Sequence, residues 1–462
     1  MRRLSLLGAL KRTALALIGA SVLTLAASSV AQAEFTPPYN TQCSGGVAEG
    51  LFPSLQINLT KHWASDFEEE DFTSPLSCAG RGPSIEYFAS SNVAALEALG
   101  STGGKRNSRY TFVGNEEPPT LAQWLRIDLG EKPGEDSGLI RQIPVASTAV
   151  VPIVHFPAGC SIPAKEATGD GRFTVSNSEL EKAYAGEVAT WGELLPDIES
   201  SCASLPLERI VPGGSEGTTF VFKQWLATVD SSRGWSSLAN TAWPKDSGAT
   251  ATVRSENGDR GEARLVAATN GSVGFSSLPS ARLEGFGVFS PGNPEYNGRG
   301  LFWLSVKNGA GEQVEPTRDP NSGTDNVKGA NCDNPEFNYV PSGYDTTVTP
   351  IWRAVTAVGS KVGWPICTLT YDLAWDDAST VYGNTEEEQS KQRTVKDFLA
   401  YILGPAGQEE AKARDYSPLP AALLTDAQEG QSRVGWHKIP GSKEGESAVK
   451  AQIAVAEKHT QP

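Results

Sequence analysis

The chain has 462 residues, a formal net charge of −15, and charged side chains at 20% of positions. That length exceeds one hydrophobic core and points to two or three lobes. A surface this acidic disfavours nucleic acid and anionic membranes, so any bound anion must be held by local geometry against the overall field.

The first 33 residues read as a signal peptide. Arg2, Arg3, Lys11 and Arg12 form a basic start, an apolar stretch runs from Ala14 to Ala27, and Ala31-Gln32-Ala33 is a small-x-small cleavage site. The apolar run is too short for a membrane anchor, and no cysteine at the cleavage point marks a lipid anchor. The mature chain would begin at Glu34. Four positive and no negative charges leave with the leader, which takes −15 to −19. Export is expected, to the periplasm or the medium, with no membrane insertion after cleavage.

The six cysteines, Cys43, Cys78, Cys160, Cys202, Cys332 and Cys367, are even in number and follow an export signal, so they read as disulfides. Six cysteines allow fifteen pairings. The spacing suggests sequence neighbours: Cys43–Cys78, Cys160–Cys202 and Cys332–Cys367. The four histidines, His62, His155, His437 and His459, are scattered and supply a catalytic or metal centre poorly. No metal or cofactor is expected.

In chain order, FEEEDF at Phe67 to Phe72 reads as a solvated acidic turn. From Ile143 to Pro157 the β-branched, apolar run IPVASTAVVPIVHFP predicts a strand buried on both faces. Ser176 or Asn177 can cap a helix that runs to about Tyr184, and Gly186 stops it. ERIV, Glu208 to Val211, is a short strand; a Gly-rich turn and a helix over about 218–228 follow, an α/β order. Residues 291–342 read as long loops with one apolar strand, LFWLSV, at Leu301 to Val306. Within them DPNSGTDN, Asp319 to Asn326, resembles a calcium loop but lacks the closing glutamate, and a turn cluster is the better reading. WPICTLTYDL, Trp364 to Leu373, is strand-like, and TVKDFLAYIL, Thr394 to Leu403, is a helix with Gly404 as its stop. The tail after about Glu429 is polar and expected to be partly disordered.

GGSEGTTF, Gly213 to Phe220, is the stretch with chemical content. A helix N-terminus exposes unpaired N–H groups and about half a positive charge. The glycines let those groups converge on a ligand, and Thr218 and Thr219 add hydroxyls, which makes an anion site. No lysine follows the last glycine, so this is not a Walker loop. The alternative is an ordinary helix start, with Ser215 as N-cap and Glu216 in the first turn.

The order of segments resembles the phosphate-binding proteins of phosphate ABC importers and their secreted relatives, the DING family. The segments are LFPSL at Leu51 to Leu55, GRGPS at Gly80 to Ser84, TFVGNEEPP at Thr111 to Pro119, and IRQIPVASTAVVPIVHFPAG from Ile140. ELEKAYAGEVATWGEL from Glu179, SEGTTFVFKQWL from Ser215, NGSVGF at Asn270 to Phe275 and DYSPLP at Asp415 to Pro420 follow. Together they cover most of the mature chain. The resemblance implies a two-lobed periplasmic-binding-protein (type II) α/β fold with crossing strands near Val151 to His155 and Gly363 to Thr368. It implies lobe 1 at 34–153 and 364–430, lobe 2 at 154–363 with the Gly/Asn/Pro-rich insertion at about 291–342, and a polar tail at 431–462.

By the same resemblance, Phe52 matches a first phosphate contact, with Leu51 where threonine is usual, and Glu116 matches an acidic acceptor that is normally aspartate. Gly217 and Thr218 match the end of the helix-start motif. Three positions depart from the pattern: Glu216 falls where the family has serine, Pro212 near its arginine, and Arg81 where it has serine. One consistent arrangement moves the positive charge to Arg81, lets Ser215 replace the lost hydroxyl, and requires Glu216 to pair with Arg81, point away or be protonated. Two unpaired carboxylates beside a dianion in a partly dry cleft cost several kcal/mol at an effective dielectric near ~20.

The expected function is a secreted, non-enzymatic, monomeric solute-binding protein that takes inorganic phosphate or a related oxyanion for uptake, with an ABC transporter permease as partner. The alternatives are a DING-like secreted phosphatase using Glu116, Glu216, Ser215 and Thr218, and a structural or adhesive protein that kept the fold and lost the ligand.

Overall fold

The computed structural model describes residues 41–69, 74–103, 105–132, 138–167, 173–235, 243–244, 252–255, 258–287, 299–317, 329–333, 336–337, 352, 355–382 and 385–435. The leader, the DPNSGTDN loop and half of the 291–342 insertion lie outside them, as does part of FEEEDF.

The first lobe opens with β1 (Val47–Phe52), α1 (Ser54–Glu68), β2 (Ser84–Ala89), α2 (Asn92–Ala98), β3 (Phe112–Asn115) and α3 (Leu121–Leu129). β1 pairs in parallel with β2 and β3. The chain then enters β4 (Ile140–His155), sixteen residues of which all but the last are buried. Its β-branched and apolar side chains have cover on both faces, which is why alternation is absent from the sequence.

β4 is the crossing strand. Residues Ile140 to Ala149 pair with β11 (Cys367–Trp375), and Val150 to His155 pair with β7 (Ser272–Ser277). The change of partner falls between Ala149 and Val150, just ahead of the expected Val151–His155. The second lobe adds α4 (Asn177–Ala185), α5 (Trp191–Leu194), α6 (Ser200–Ala203), β5 (Glu208–Pro212) and α7 (Gly217–Val229). Then come β6 (Thr252–Ser255), α8 (Gly258–Ala268), β7 and α9 (Leu278–Leu283). The short strands β8 (Leu301–Trp303), β9 (Val306–Lys307) and β10 (Gln313–Val314) precede β11, and the chain closes with α10 (Glu386–Ile402), α11 (Pro405–Ala413) and α12 (Ala421–Arg433). The strand order is β2-β1-β3-β11-β4-β7-β5-β6, with β8 on β4.

Two cores flank the crossing. One gathers Phe52, Trp63, Phe112, Trp375 and Phe398, and the other Tyr184, Trp191, Phe222, Phe275 and Trp303. This is the mixed α/β, two-lobed arrangement expected. All three disulfides form between sequence neighbours, Cys43–Cys78, Cys160–Cys202 and Cys332–Cys367.

Local signals hold well in α4, where the Ser176 side chain accepts the Glu179 N–H and Gly186 takes φ 81. Elsewhere the element bounds move from those expected. α10 begins eight residues before Thr394, because Thr385 and Glu388 form a capping box ahead of a polar first half. That helix ends at Ile402, just ahead of Gly404 as expected, and Gly404 is also the N-cap of α11, with Pro405 at the first position. α12 runs to Arg433 and Val434 is fully buried, so the ordered chain passes the expected start of the tail. LFWLSV splits into β8 and β9. No helix among the described residues is long and apolar enough to cross a membrane.

Candidate functional site: the interlobe cleft

Because β1, β3, β5 and β6 lead towards the cleft at their carboxyl ends, the helices that follow present their amino ends there. α1 arrives from the first lobe, and α7 and α8 from the second. Between α1 and α7 stands Glu116, one residue past β3 and only 2% exposed. Its Oε1 accepts the Leu55 N–H of α1 at 2.7 Å, and its Oε2 accepts the Gly217 N–H of α7 at 3.0 Å. One carboxylate therefore joins two helix N-termini from opposite lobes. The Glu116 N–H is held by Asn92 Oδ1 at 3.1 Å, and the Tyr416 hydroxyl donates to the Leu55 carbonyl, fixing α1 from the DYSPLP turn.

Ser54 makes the second link. It accepts the Asp259 N–H of α8 at 3.4 Å and donates its hydroxyl to Glu216 Oε2 at 3.2 Å. The backbone approach is close. A Cβ on Gly217 would lie 2.5 Å from Glu116 Cβ, and one on Gly258, whose φ is +70, would lie 2.7 Å from Ser54 Oγ.

Several carboxyl groups share this space. Burial pushes Glu116 up to about 7, against the pull of its two N–H donors. Glu216 is pushed up to about 9 by burial first and then by Glu116 and Asp259. The pair divides the work: Glu116, with two amides and two helix dipoles, is the one better able to carry charge, and Glu216 keeps its proton. Asp259 is tied to the Ser276 hydroxyl and to the Ser277 N–H and hydroxyl. Thr218 Oγ1 and Thr219 Oγ1 are buried with no hydrogen-bond partner among the described residues.

The expected site residues fare differently. Glu116, Glu216, Gly217 and Thr218 converge. Ser215 lies two residues ahead of α7, half-buried, and does not cap it; the N-cap position is Glu216, with no side-chain cap bond. Leu51 and Phe52 belong to β1, with the Phe52 ring packed edge-on against Phe112 at 5.4 Å, so the cleft residues of this turn are Ser54 and Leu55. Arg81 is a correction. It precedes β2, whose first residue Ser84 pairs with Val47 at the start of β1, and its guanidinium reaches Cys43 Sγ. That is the opposite end of the sheet from the cleft. Arg81 cannot neutralise Glu216, whose partner is Ser54. The serines at the cleft end of β2 are Ser90 and Ser91.

A buried cation that the local sequence does not mark also lies between the lobes. Lys223 of α7 is fully buried and interacts with Glu117 of the first lobe; burial pushes it down to about 8 while Glu117 pulls it up. A lysine in the middle of FKQ on an apolar helix reads as an ordinary solvated charge, and only the packing of α7 against the other lobe reveals it. Of the enzymatic alternative, serine hydroxyls here meet two carboxyls, Ser54 on Glu216 and Ser276 and Ser277 on Asp259, and the upward push of burial makes Glu216 a poor general base. His62 lies near Glu410 and His155 at the end of β4, away from these groups. Among the described residues, both clusters with metal-ligand spacing use disulfide cysteines.

Residues 128–328 match the model of the PBP superfamily domain. No curated protein matches the chain in sequence. Among solved structures, the chain is similar to a high-affinity periplasmic phosphate-binding protein (PfluDING) bound with phosphate, with TM-score 0.52 and 16% identity over 82% of this chain and 92% of that one. It is similar to a phosphate-binding protein from Stenotrophomonas maltophilia, with TM-score 0.53 and 15% identity over 83% and 93%. An ancestral soluble variant of the human phosphate-binding protein gives TM-score 0.52 and 17% identity over 82% and 92%. These likenesses establish the two-lobed PBP-like fold. All three neighbours are described as binding proteins.

Proposed function

We propose that this PBP-like chain is a secreted solute-binding protein that captures inorganic phosphate or a related oxyanion between its lobes for uptake. The observation that carries the reading is the meeting of α1 and α7, from opposite lobes, on one anionic group through the Leu55 and Gly217 amides. The unpartnered Thr218 and Thr219 hydroxyls supply further donors beside those amides. Lys223 of α7, facing Glu117 of the first lobe, is a buried cation between the lobes. The lobe division given above, 34–153 with 364–430 against 154–363, is kept as part of this proposal. The export signal and three disulfides support a periplasmic or extracellular site, and uptake implies an ABC transporter permease as partner.

The test is isothermal titration of the purified protein with phosphate at about pH 5 and about pH 8, either side of the second phosphate pKa. Micromolar or tighter binding is expected at one or both. No heat and no thermal shift at millimolar phosphate would remove phosphate as the ligand and leave the fold untouched.

A further inference from the structure

The point where the two helix N-termini meet already holds an anion, and it belongs to the chain. Glu116 spends both oxygens on the two amides, Leu55 N–H at 2.7 Å and Gly217 N–H at 3.0 Å. Those amides open helices of 15 and 13 residues, long enough for a developed dipole. Each N–H makes one strong hydrogen bond, so a bound oxyanion and the Glu116 carboxylate cannot both hold them. The lobes also approach closely here, since a Cβ on Gly217 would lie 2.5 Å from Glu116 Cβ. Among the described residues, the other groups shown to act on Glu116 are acidic or neutral, namely Glu216, Asp259, Ser54 and Asn92, and none of these attracts its carboxylate away from the two amides as a cation would.

We propose that Glu116 is the resident anion of the interlobe cleft: it latches the lobes together in the absence of ligand, and an incoming oxyanion must displace it to reach α1 and α7. This rests on the oxyanion reading above. Glu116 is then a specificity residue that acts by competition. Ligands with a single acceptor oxygen replace one of its two bonds and lose, whereas an oxyanion with two or more oxygens replaces both. The reach of a glutamate is part of the device, because a side chain one methylene shorter holds one amide and not the other.

The experiment compares the full protein with Glu116→Ala and Glu116→Asp. Inorganic phosphate is titrated calorimetrically into each, and exchange of the Leu55 and Gly217 amides is followed by NMR in the ligand-free proteins. Two charge-assisted bonds compete with the ligand, so Glu116→Ala is expected to bind phosphate at least roughly tenfold tighter. Both amides should exchange roughly tenfold faster or more in its free form. Glu116→Asp should bind more tightly than the parent, with faster exchange at one amide, and it serves if the alanine variant does not fold. Weaker phosphate binding by the variants, with the parent binding, overturns the inference and leaves the oxyanion reading standing, since the carboxylate would then be contacting the ligand. Unchanged exchange at both amides overturns the latch. Binding by neither parent nor variants removes the competitor together with the oxyanion reading.

Discussion

Replacing Glu216 by glutamine probes the electrostatics of the cleft directly. Glutamine keeps the shape and can still accept the Ser54 hydroxyl, while removing the titrating group. The folded-state carboxyl titrates near 9 and the unfolded one near 4.5. Between those values the folded protein holds a proton that the unfolded chain has released. The stability of the parent contributed by Glu216 is therefore complete below about pH 4.5 and falls as pH rises through 9. The limiting slope is about 1.4 kcal/mol per pH unit. Glu216 is half-buried and shares its titration with Glu116, so solvent screening and coupling reduce the total; ~1–2 kcal/mol between pH 5 and pH 8 is the expected size. Glu216→Gln should match the parent at pH 5 and exceed its stability by that amount at pH 8, read from denaturant unfolding of both proteins at each pH. Other titrating groups, such as buried Asp128, cancel in the difference. An equal difference at both pH values, or a variant that becomes relatively less stable as pH rises, would refute the argument that Glu216 is a protonated carboxyl.

Three further outcomes follow from the same geometry. Gly217→Ala places a Cβ 2.5 Å from Glu116 Cβ, and overpacking of this kind costs about 1–3 kcal/mol of closed-state stability; small-angle scattering should show a larger radius of gyration, and an unchanged radius would contradict the contact. Lys223→Met removes the buried charge facing Glu117 and should weaken phosphate roughly tenfold in a calorimetric titration, with a shallower dependence on salt. Cys160→Ser with Cys202→Ser opens a crosslink of sequence separation 42, which chain entropy values at about 4 kcal/mol; the thermal midpoint of the double variant should fall to that of the reduced parent at this bond, as followed by calorimetry.

Much of the architecture was legible in the chain because it rests on local rules. The continuous β-branched run that becomes β4 needs cover on both faces wherever it lies, and Ser176 with Gly186 caps and stops α4 using groups a few residues away. Cysteine spacing anticipated all three bonds. Glu116, two residues before Pro118, and the glycine opening α7 were visible as single candidates. Their union was not, since no local rule places Glu116 within reach of two amides 61 and 101 residues away. Arg81 shows the same limit from the other side. It is one turn from β2 in sequence, but the parallel register of β2 on β1 puts it at the far end of the sheet, against the Cys43–Cys78 bond. Lys223 and Ser54 became site residues only when α7 and α8 closed on the first lobe. Local hydrogen bonding and burial patterns fix which segments are strands and helices. Strand direction and register decide which ends of them meet, and in this protein it is the meeting of helix ends across the lobes that gives the cleft its charge.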